Sequence, residues 1–238
     1  FDCCCKGNRN VIMTDTDRQE FRALFALAEQ VGQNSPNTAS HDGSGEEDNV
    51  SGRELRLLPF NVEFAETEEH AHTIKANALL RGDKASYISK RSNNVDIILK
   101  FASNTLYCIT HCIVQVTEPQ SALLRGSALC DALIFFAHEV PDLEKAAAFN
   151  DFDSEKWASY VARKQEKKEP WRHDEPGMYF RFKPNEWCKV RKLDPPRSGR
   201  YVLIKLLRSR RTDEPIEVQR IAFQGFVGSQ SFGHVQAI

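Results

Sequence analysis

One apolar stretch constrains the fold more than any other part of the sequence. It runs from Gly199 to Ser209, with the sequence GRYVLIKLLRS, and in an extended chain its apolar side chains would point to both faces. Lys205 alone interrupts this pattern. Strands that are apolar on both faces are normally central in a sheet and covered on both sides. We therefore predict a buried central strand, entered through Asp194 to Ser198, where two prolines fix an extended backbone.

Other candidate strands are short, and turn-forming residues separate them. The clearest is Val95 to Phe101, in which apolar side chains recur at every second position. Further candidates are Leu55 to Phe64, Tyr87 to Ile88, Cys108 to Thr117, Asp131 to His138, Met178 to Lys183, Trp187 to Leu193 and Ile216 to Val227. A succession of short strands without βαβ alternation predicts a mainly β protein, an antiparallel sandwich of two sheets. The side chains expected between the sheets are Val95, Ile97, Leu99, Phe101, Val202, Ile204 and Leu206.

A helical insert is predicted between two of these strands. Asp153 to Glu155 is typical of a helix start, and Trp157, Tyr160 and Val161 would form the apolar stripe of the helix. The segment from Glu166 to Pro170 would end it.

The N-terminal part of the chain has a different composition. Asp15 to Val31 has the periodicity of an amphipathic helix, whereas Gln33 to Gly52 is polar and rich in small and acidic residues, as flexible linkers are. We therefore divide the chain into an N-terminal segment with an amphipathic helix (residues 1–32), a flexible linker (residues 33–53) and a β-sandwich domain (residues 54–238).

Charge and cysteine content restrict the compartment and the partners. The formal net charge of −1 gives no overall field that would attract nucleic acid or a membrane, so we expect neither as a partner. The chain has 7 cysteines, an odd number, and three of them are consecutive at Cys3 to Cys5, unlike a secreted disulfide framework. We expect an intracellular protein, cytoplasmic or nuclear, and part of a larger chain because the sequence does not begin with Met.

No motif in the sequence is specific for catalysis or for a cofactor. The patterns GxSxG, GxxxxGK[ST] and HExxH are absent. His70 and His72 lack further metal ligands, and the carboxylates between Asp142 and Glu155 lack the spacing of a calcium loop, so we expect no metal. Cys108 and Cys112 would share a strand face as two buried hydrophobes. The three tryptophans are more typical of core or helix anchors than of a sugar-stacking platform: Trp157, Trp171 and Trp187.

Two stretches resemble a known family. Ser86 to Phe101 (SYISKRSNNVDIILKF) and Pro195 to Lys205 (PPRSGRYVLIK) are similar to the galactose-binding-like β-sandwich family, the jelly-roll group of discoidin domains and the DOC domain of the anaphase-promoting complex. A last strand that closes with Phe223 to Gly228 agrees, so the resemblance covers roughly Leu55 to Gly228. It implies a jelly-roll sandwich. No cysteines bracket the domain as in secreted members, which favours the intracellular, DOC-like branch.

The resemblance also implies that ligands meet loops at one end of the sandwich. The matching loops are Ser89 to Asn94 and Arg208 to Asp213, both polar and cationic. Such side chains either bind carboxylates, phosphates or an acidic peptide, or are solvated turn residues. The predicted ligand-binding residues are Ser89, Lys90, Arg91, Asn93, Asn94, Arg208, Arg210 and Arg211.

These observations favour a non-catalytic module that recognises a protein or an acidic peptide within a larger multidomain protein or complex. The DOC-like resemblance implies a ubiquitin-ligase scaffold as its host. Two alternatives stay open: a carbohydrate- or lipid-binding discoidin-like module, and an accessory domain of an enzyme. No catalytic residue and no cofactor is expected in the recognition module.

Overall fold

The computed structural model describes residues 56–65, 86–102, 105–116, 127–183 and 186–228. Within these ranges the chain is mostly β, and its strands form a sandwich of two sheets, as the sequence predicts. The predicted N-terminal segment and linker (residues 1–53) lie outside the described residues, and so do His70 and His72.

Eleven strands and two helices occur in the described residues. The strands are β1 (Arg56–Leu57), β2 (Phe60–Ala65), β3 (Tyr87–Ile88), β4 (Asn93–Phe101), β5 (Tyr107–Gln115), β6 (Ser127–Ala137), β7 (Pro176–Arg181), β8 (Cys188–Gly199), β9 (Tyr201–Ser209), β10 (Ile216–Val218) and β11 (Arg220–Val227). The helices are α1 (Leu143–Ala147) and α2 (Ser154–Glu166), and both lie between β6 and β7.

The two sheets differ in size. The smaller has the strand order β1-β11-β5-β8, and the larger has the order β2-β4-β9-β6-β10-β3, with β7 paired to β6. The pairings between described strands are antiparallel except that β10 runs parallel to β6, with Ile216 opposite Ser127. The prediction of two purely antiparallel sheets is therefore wrong at this pairing. The difference arises because the chain changes sheet at Gln219, which divides the predicted strand Ile216 to Val227 into β10 in the larger sheet and β11 in the smaller one.

Strand β9 is the central strand that the sequence predicts. It lies between β4 and β6. One face contributes Val202, Ile204 and Leu206 to the core between the sheets, and the other buries Leu203 and Leu207 beneath the helical insert. All seven side chains that the sequence places between the sheets are buried there: Val95, Ile97, Leu99, Phe101, Val202, Ile204 and Leu206.

Strand β8 corrects the predicted approach to β9. It continues through Pro195 and Pro196 to Gly199, whereas the sequence predicted that it would end at Leu193. Because β8 is the outer strand of the smaller sheet, one side of its backbone needs no ladder partner, and residues without an N–H are tolerated there. The prolines therefore belong to a strand and not to a separate connecting segment.

A bulge in β5 corrects the prediction that Cys108 and Cys112 share a face. The register of β5 against β8 shifts between Ile109 and His111. Ile109 and Cys112 both belong to the core between the sheets, whereas Cys108 does not. Gly225 faces the irregular region, since an added Cβ there would lie 2.0 Å from the carbonyl oxygen of Cys108. The extra residue of a bulge exchanges the two faces of a strand.

The helical insert covers the outer face of the larger sheet. Asp153 caps α2, because its carboxylate accepts hydrogen bonds from the backbone N–H groups of Glu155 and Lys156 at 2.9 and 2.8 Å. Trp157 and Phe152 pack against a second hydrophobic cluster, which consists of Ala146 of α1 and five side chains of the larger sheet: Ile98, Leu133, Phe135, Leu203 and Leu207. The short helix α1 was missed by the sequence analysis.

We expect Asp153→Ala to unfold at a lower urea concentration than the unmodified chain, because two N–H groups at the start of α2 would lose their acceptor. Ser159→Ala is the control, since Ser159 lies exposed within the same helix. Urea unfolding of both variants checks the prediction. Equal midpoints would mean that the cap contributes nothing measurable.

Candidate functional site

The two loops of the predicted site lie side by side. Asn93 of β4 is paired with Arg208 of β9, and the backbone N–H of Ser209 donates to the carbonyl of Ser92 at 3.1 Å. The N–H of Ser89 donates to the carbonyl of Ile216 at 3.0 Å. We call residues 89–94 together with residues 208–214 the loop end. More than a hundred residues of sequence separate its two parts, and the ladder between β4 and β9 brings them together.

Ser89 and Asn94 hold the first loop in shape. The Ser89 hydroxyl is buried, donates to the carbonyl of Arg91 at 2.5 Å and accepts from the N–H of Ile216 at 2.8 Å. Asn94 has a φ of 49°, in the left-handed region that asparagine tolerates better than most residues. These contacts assign both residues to the framework of the loop.

Arg208 is fixed by an internal ion pair. Its Nε lies 2.8 Å from Oδ2 of the buried Asp131, and its Nη2 donates to the carbonyl of Phe152 at 2.8 Å. The Tyr179 hydroxyl donates to the same carboxylate at 2.5 Å. Burial and this hydrogen bond raise the pKa of Tyr179 well above its ordinary value. Arg208 is therefore an anchor between β9, β6 and the helical insert.

Arg210 connects the second loop to the chain between β7 and β8. Its Nη2 donates to the carbonyls of Lys183 and Glu186 at 2.5 and 2.8 Å. Burial lowers the pKa of this guanidinium. A substitution of Arg210 would therefore disturb local structure as well as any ligand contact.

The other predicted residues face solvent. Lys90, Arg91, Asn93 and Arg211 are exposed. Arg91 donates to the carbonyl of Asn94 at 3.2 Å, and Nη1 of Arg211 lies 2.9 Å from the Glu214 carboxylate. Exposed ion pairs contribute about 0–1 kcal/mol, so an incoming anion can compete for such guanidinium groups. The loop end thus combines internal anchors with exposed cations.

Sequence reasoning missed the partners of the anchors. Asp131 is the charged residue within the otherwise apolar run of β6. Its position there is the one sequence signal that could have identified it as the partner of an anchor. A carboxylate in a buried strand needs a charged or hydrogen-bonding partner. Which partner it has depends on the register of β6 against β9, where Asp131 is paired with Arg208.

A cleft lies at the other end of β6. Leu129 of this strand is paired with Ser209 near the loop end, and Ala137 is paired with Tyr201 at the far end. His138 follows β6 there, and the centre of its ring lies 4.0 Å from that of His173. The sequence analysis did not select either histidine, because they are distant in sequence and belong to different connections.

The tryptophans act as anchors, as the sequence favoured. The ring centres of Trp157 and Trp171 lie 6.1 Å apart in a stacked arrangement, and Trp157 also stacks on Tyr179 with 6.0 Å between the ring centres. Trp187 packs against the core.

In the described ranges, no group of three or more His, Cys, Asp or Glu residues is arranged to hold a metal ion. The same part of the chain contains no helix that is long and apolar enough to cross a membrane.

Comparisons with known proteins find similarity in structure and not in sequence. No family model matches the chain, and no curated protein does. A family 32 carbohydrate-binding module from C. perfringens NanJ, in complex with galactose, has 7% identity and a TM-score of 0.48 over 72% of this chain and 99% of that one. A fucolectin from striped bass serum has 10% identity and a TM-score of 0.43 over 74% of this chain and 50% of that one.

A third similar structure is reduced XRCC1 bound to the DNA polymerase β catalytic domain, with 10% identity and a TM-score of 0.43 over 70% of this chain and 97% of that one. The structural neighbours include several family 32 carbohydrate-binding modules. At these identities their ligands are not assigned to this chain. The comparisons do not confirm the DOC-type branch or the ubiquitin-ligase scaffold.

Proposed function

We propose that this chain is a non-catalytic binding module that recognises an anionic carbohydrate through the exposed cations of the loop end. The observation that supports this proposal is the ladder between β4 and β9, which brings Lys90 and Arg91 to the same end of the sandwich as Arg211. Like charges that converge repel one another, and a bound anion relieves that repulsion.

The chemistry of the exposed side chains favours a carboxylate or sulfate group. Arginine forms paired hydrogen bonds with planar or tetrahedral oxyanions, and lysine adds a compact positive charge. The Asn93 side chain offers both a donor and an acceptor, which suits the hydroxyl groups on either side of such an anion in a uronic acid or a sulfated sugar. Arg208, held by Asp131, keeps the adjoining backbone in place.

A carbohydrate fits the loop end better than the protein or peptide partner that the sequence favoured. Protein interfaces are usually centred on buried aromatic or aliphatic anchors. Among the described residues, the large hydrophobic side chains that are exposed lie outside the loop end: Phe64, Val140, Val190 and Val227. A polar, cationic surface without such an anchor suits a small, charged and hydroxylated ligand.

We expect the double variant Lys90→Glu with Arg91→Glu to bind a heparin-derived oligosaccharide at least about tenfold more weakly than the unmodified chain. Loss of a charge-assisted hydrogen bond costs about 1.5–3 kcal/mol, which corresponds to a tenfold or larger change in affinity. Binding of the unmodified chain should also weaken between 50 and 300 mM salt, because contacts between exposed charges are screened over about 8 Å at physiological ionic strength. Isothermal titration calorimetry measures both effects.

The control is Lys167→Glu with Lys168→Glu, an adjacent exposed pair at the end of α2. It should bind the oligosaccharide as the unmodified chain does. Poly-glutamate, galactose and phosphatidylserine vesicles test the other ligand classes. Equal binding by the two double variants would contradict the site. Binding to poly-glutamate without binding to the oligosaccharide would contradict the ligand class and return the module to peptide recognition.

A further inference from the structure

Arg197 of β8 carries a half-buried guanidinium group that lies against an aromatic ring. Its Cζ is 5.0 Å from the centre of the ring of Trp171, in the segment between α2 and β7. A guanidinium that stacks on an aromatic face is attracted by the ring electrons, and this contact leaves its N–H groups unused. Stacking therefore positions Arg197 without consuming its hydrogen-bond donors.

The donors of Arg197 have no protein acceptor. Its side chain makes no hydrogen bond or ion pair with another described residue. Of its three nitrogens, only Nε is both enclosed and without a hydrogen-bond partner, so Nη1 and Nη2 are the atoms that a ligand can reach. A guanidinium has five donors, no acceptor and a permanent charge, and its fork can donate two parallel hydrogen bonds.

The carboxylate whose charge acts on Arg197 is engaged by other groups. This carboxylate belongs to Glu175. Its Oε2 lies 2.6 Å from Nζ of the buried Lys164 and accepts from the backbone N–H of Arg172 at 3.1 Å. The Arg172 guanidinium is itself paired with Asp174 at 3.1 Å. The charges of the segment before β7 are thus matched among themselves, and the positive charge of Arg197 has no counter-ion.

Two further contacts hold the same segments together. The ring of His138 hydrogen-bonds to the backbone of Ser198, the residue after Arg197. The centre of that ring lies 4.0 Å from the ring centre of His173, two residues after Trp171. The segment before β7 and the last residues of β8 therefore lie side by side, at the end of β6 opposite the loop end. The proposed function of the loop end makes no use of this surface.

We propose that Arg197 and Trp171 form a binding site for a carboxylate ligand, with Nη1 and Nη2 of Arg197 donating to the two carboxylate oxygens. A planar carboxylate matches the guanidinium fork, and its single negative charge matches the single charge that lacks a counter-ion. Trp171 is only partly buried, so some of its indole ring stays exposed beside the guanidinium. That surface suits a flat apolar group attached to the carboxylate.

The test uses the 238-residue chain with benzoate as the probe and benzamide, which has a similar shape but no charge, as its control. Nuclear magnetic resonance at about pH 7.5 should show saturable shifts of the Trp171 indole N–H and Arg197 Nε–H signals with benzoate. Benzamide should shift neither signal. This comparison needs no variant. The absence of saturable shifts at about 50 mM benzoate, or equal shifts with benzamide, would overturn the proposal.

Arg197→Gln should weaken benzoate binding at least about tenfold, because the charge-assisted hydrogen bonds are lost. Arg197→Lys keeps the charge but not the fork, and it should also bind benzoate more weakly than the unmodified chain. The matched control is Arg163→Gln, since the exposed Arg163 also lies over an aromatic ring, with its Cζ 5.4 Å from the ring centre of Tyr160. Its affinity should be unchanged. Unaltered binding by both Arg197 variants, or an equal loss in Arg163→Gln, would contradict the assignment of the site.

The double variant Lys90→Glu with Arg91→Glu separates this site from the loop end. It should leave the benzoate-induced shift of the Trp171 signal unchanged, because the two sites lie at opposite ends of the sandwich. Loss of that shift would overturn the proposal, since the carboxylate would then bind at the loop end. The readout at Trp171 is independent of oligosaccharide binding, so the two proposed sites stand or fall separately.

Discussion

The Ile204→Asp variant is expected to be largely unfolded at 25 °C. Ile204 lies in the middle of the central strand β9 with 1% of its surface exposed, in the core between the sheets. A carboxylate at this position would lose its hydration and would also leave the space of the missing methyl groups unfilled. These two effects together cost several kcal/mol, and a domain has a total stability of only about 5–15 kcal/mol.

Circular dichroism and thermal unfolding measure this effect, with Val190→Asp as the matched control. Val190 is also a β-branched residue in a strand, but it lies in the outer strand β8 with 39% of its surface exposed. The Val190→Asp protein should therefore melt within a few degrees of the unmodified chain, since surface substitutions usually change stability by less than about 0.5 kcal/mol. An Ile204→Asp protein with an unchanged melting temperature would show that β9 is not the central strand.

The position of β9 could be predicted because the relevant signal is local. A strand that is apolar on both faces needs cover on both sides, whatever supplies that cover. The two faces of β9 are in fact covered by different layers, the smaller sheet on one side and the helical insert on the other. The insert itself was predicted from its N-cap at Asp153 and its apolar stripe, which are equally local features.

The errors occurred where pairing decides the structure. The change of sheet at Gln219 leaves no mark in the apolar pattern, because β10 and β11 are both buried strands. The bulge in β5 also depends on its neighbours β8 and β11, whose registers shift at the same region. The periodicity of one strand cannot show such an extra residue, because a bulge is defined only by the pairing with a partner strand.

The same distinction explains how much of the candidate site could be predicted. The two loops were identified from their position next to strands, and their proximity follows from the ladder between β4 and β9. The division between anchors and exposed cations could not be predicted. It depends on Asp131 beneath Arg208 and on two backbone carbonyls beside Arg210, and these are tertiary contacts.

Lys205 is a further case, because the sequence presented it as an interruption and the structure gives it a partner. Its Nζ lies 2.9 Å from the Asp96 carboxylate and donates to Oδ1 of Asn150 at 2.8 Å. Lys205 is 1% exposed, so the pair lies beneath the helical insert and not in solvent. Asp96 is the polar residue opposite Lys205 in the ladder between β4 and β9.

We expect Lys205→Met to lower the free energy of unfolding by about 3–5 kcal/mol, because it leaves the Asp96 carboxylate buried without a counter-charge. Asp96→Leu should cost a similar amount through the unpaired ammonium. The double variant should lose much less than the sum of the two, since replacing both members of a buried pair by apolar residues of similar size is often close to neutral. Urea unfolding of the four proteins forms a double-mutant cycle, and additive losses would mean that the two charges do not stabilise each other. Strong coupling would instead establish that Lys205 and Asp96 stabilise each other across the ladder between β4 and β9, so that the polar interruption of β9 is matched by the residue opposite it.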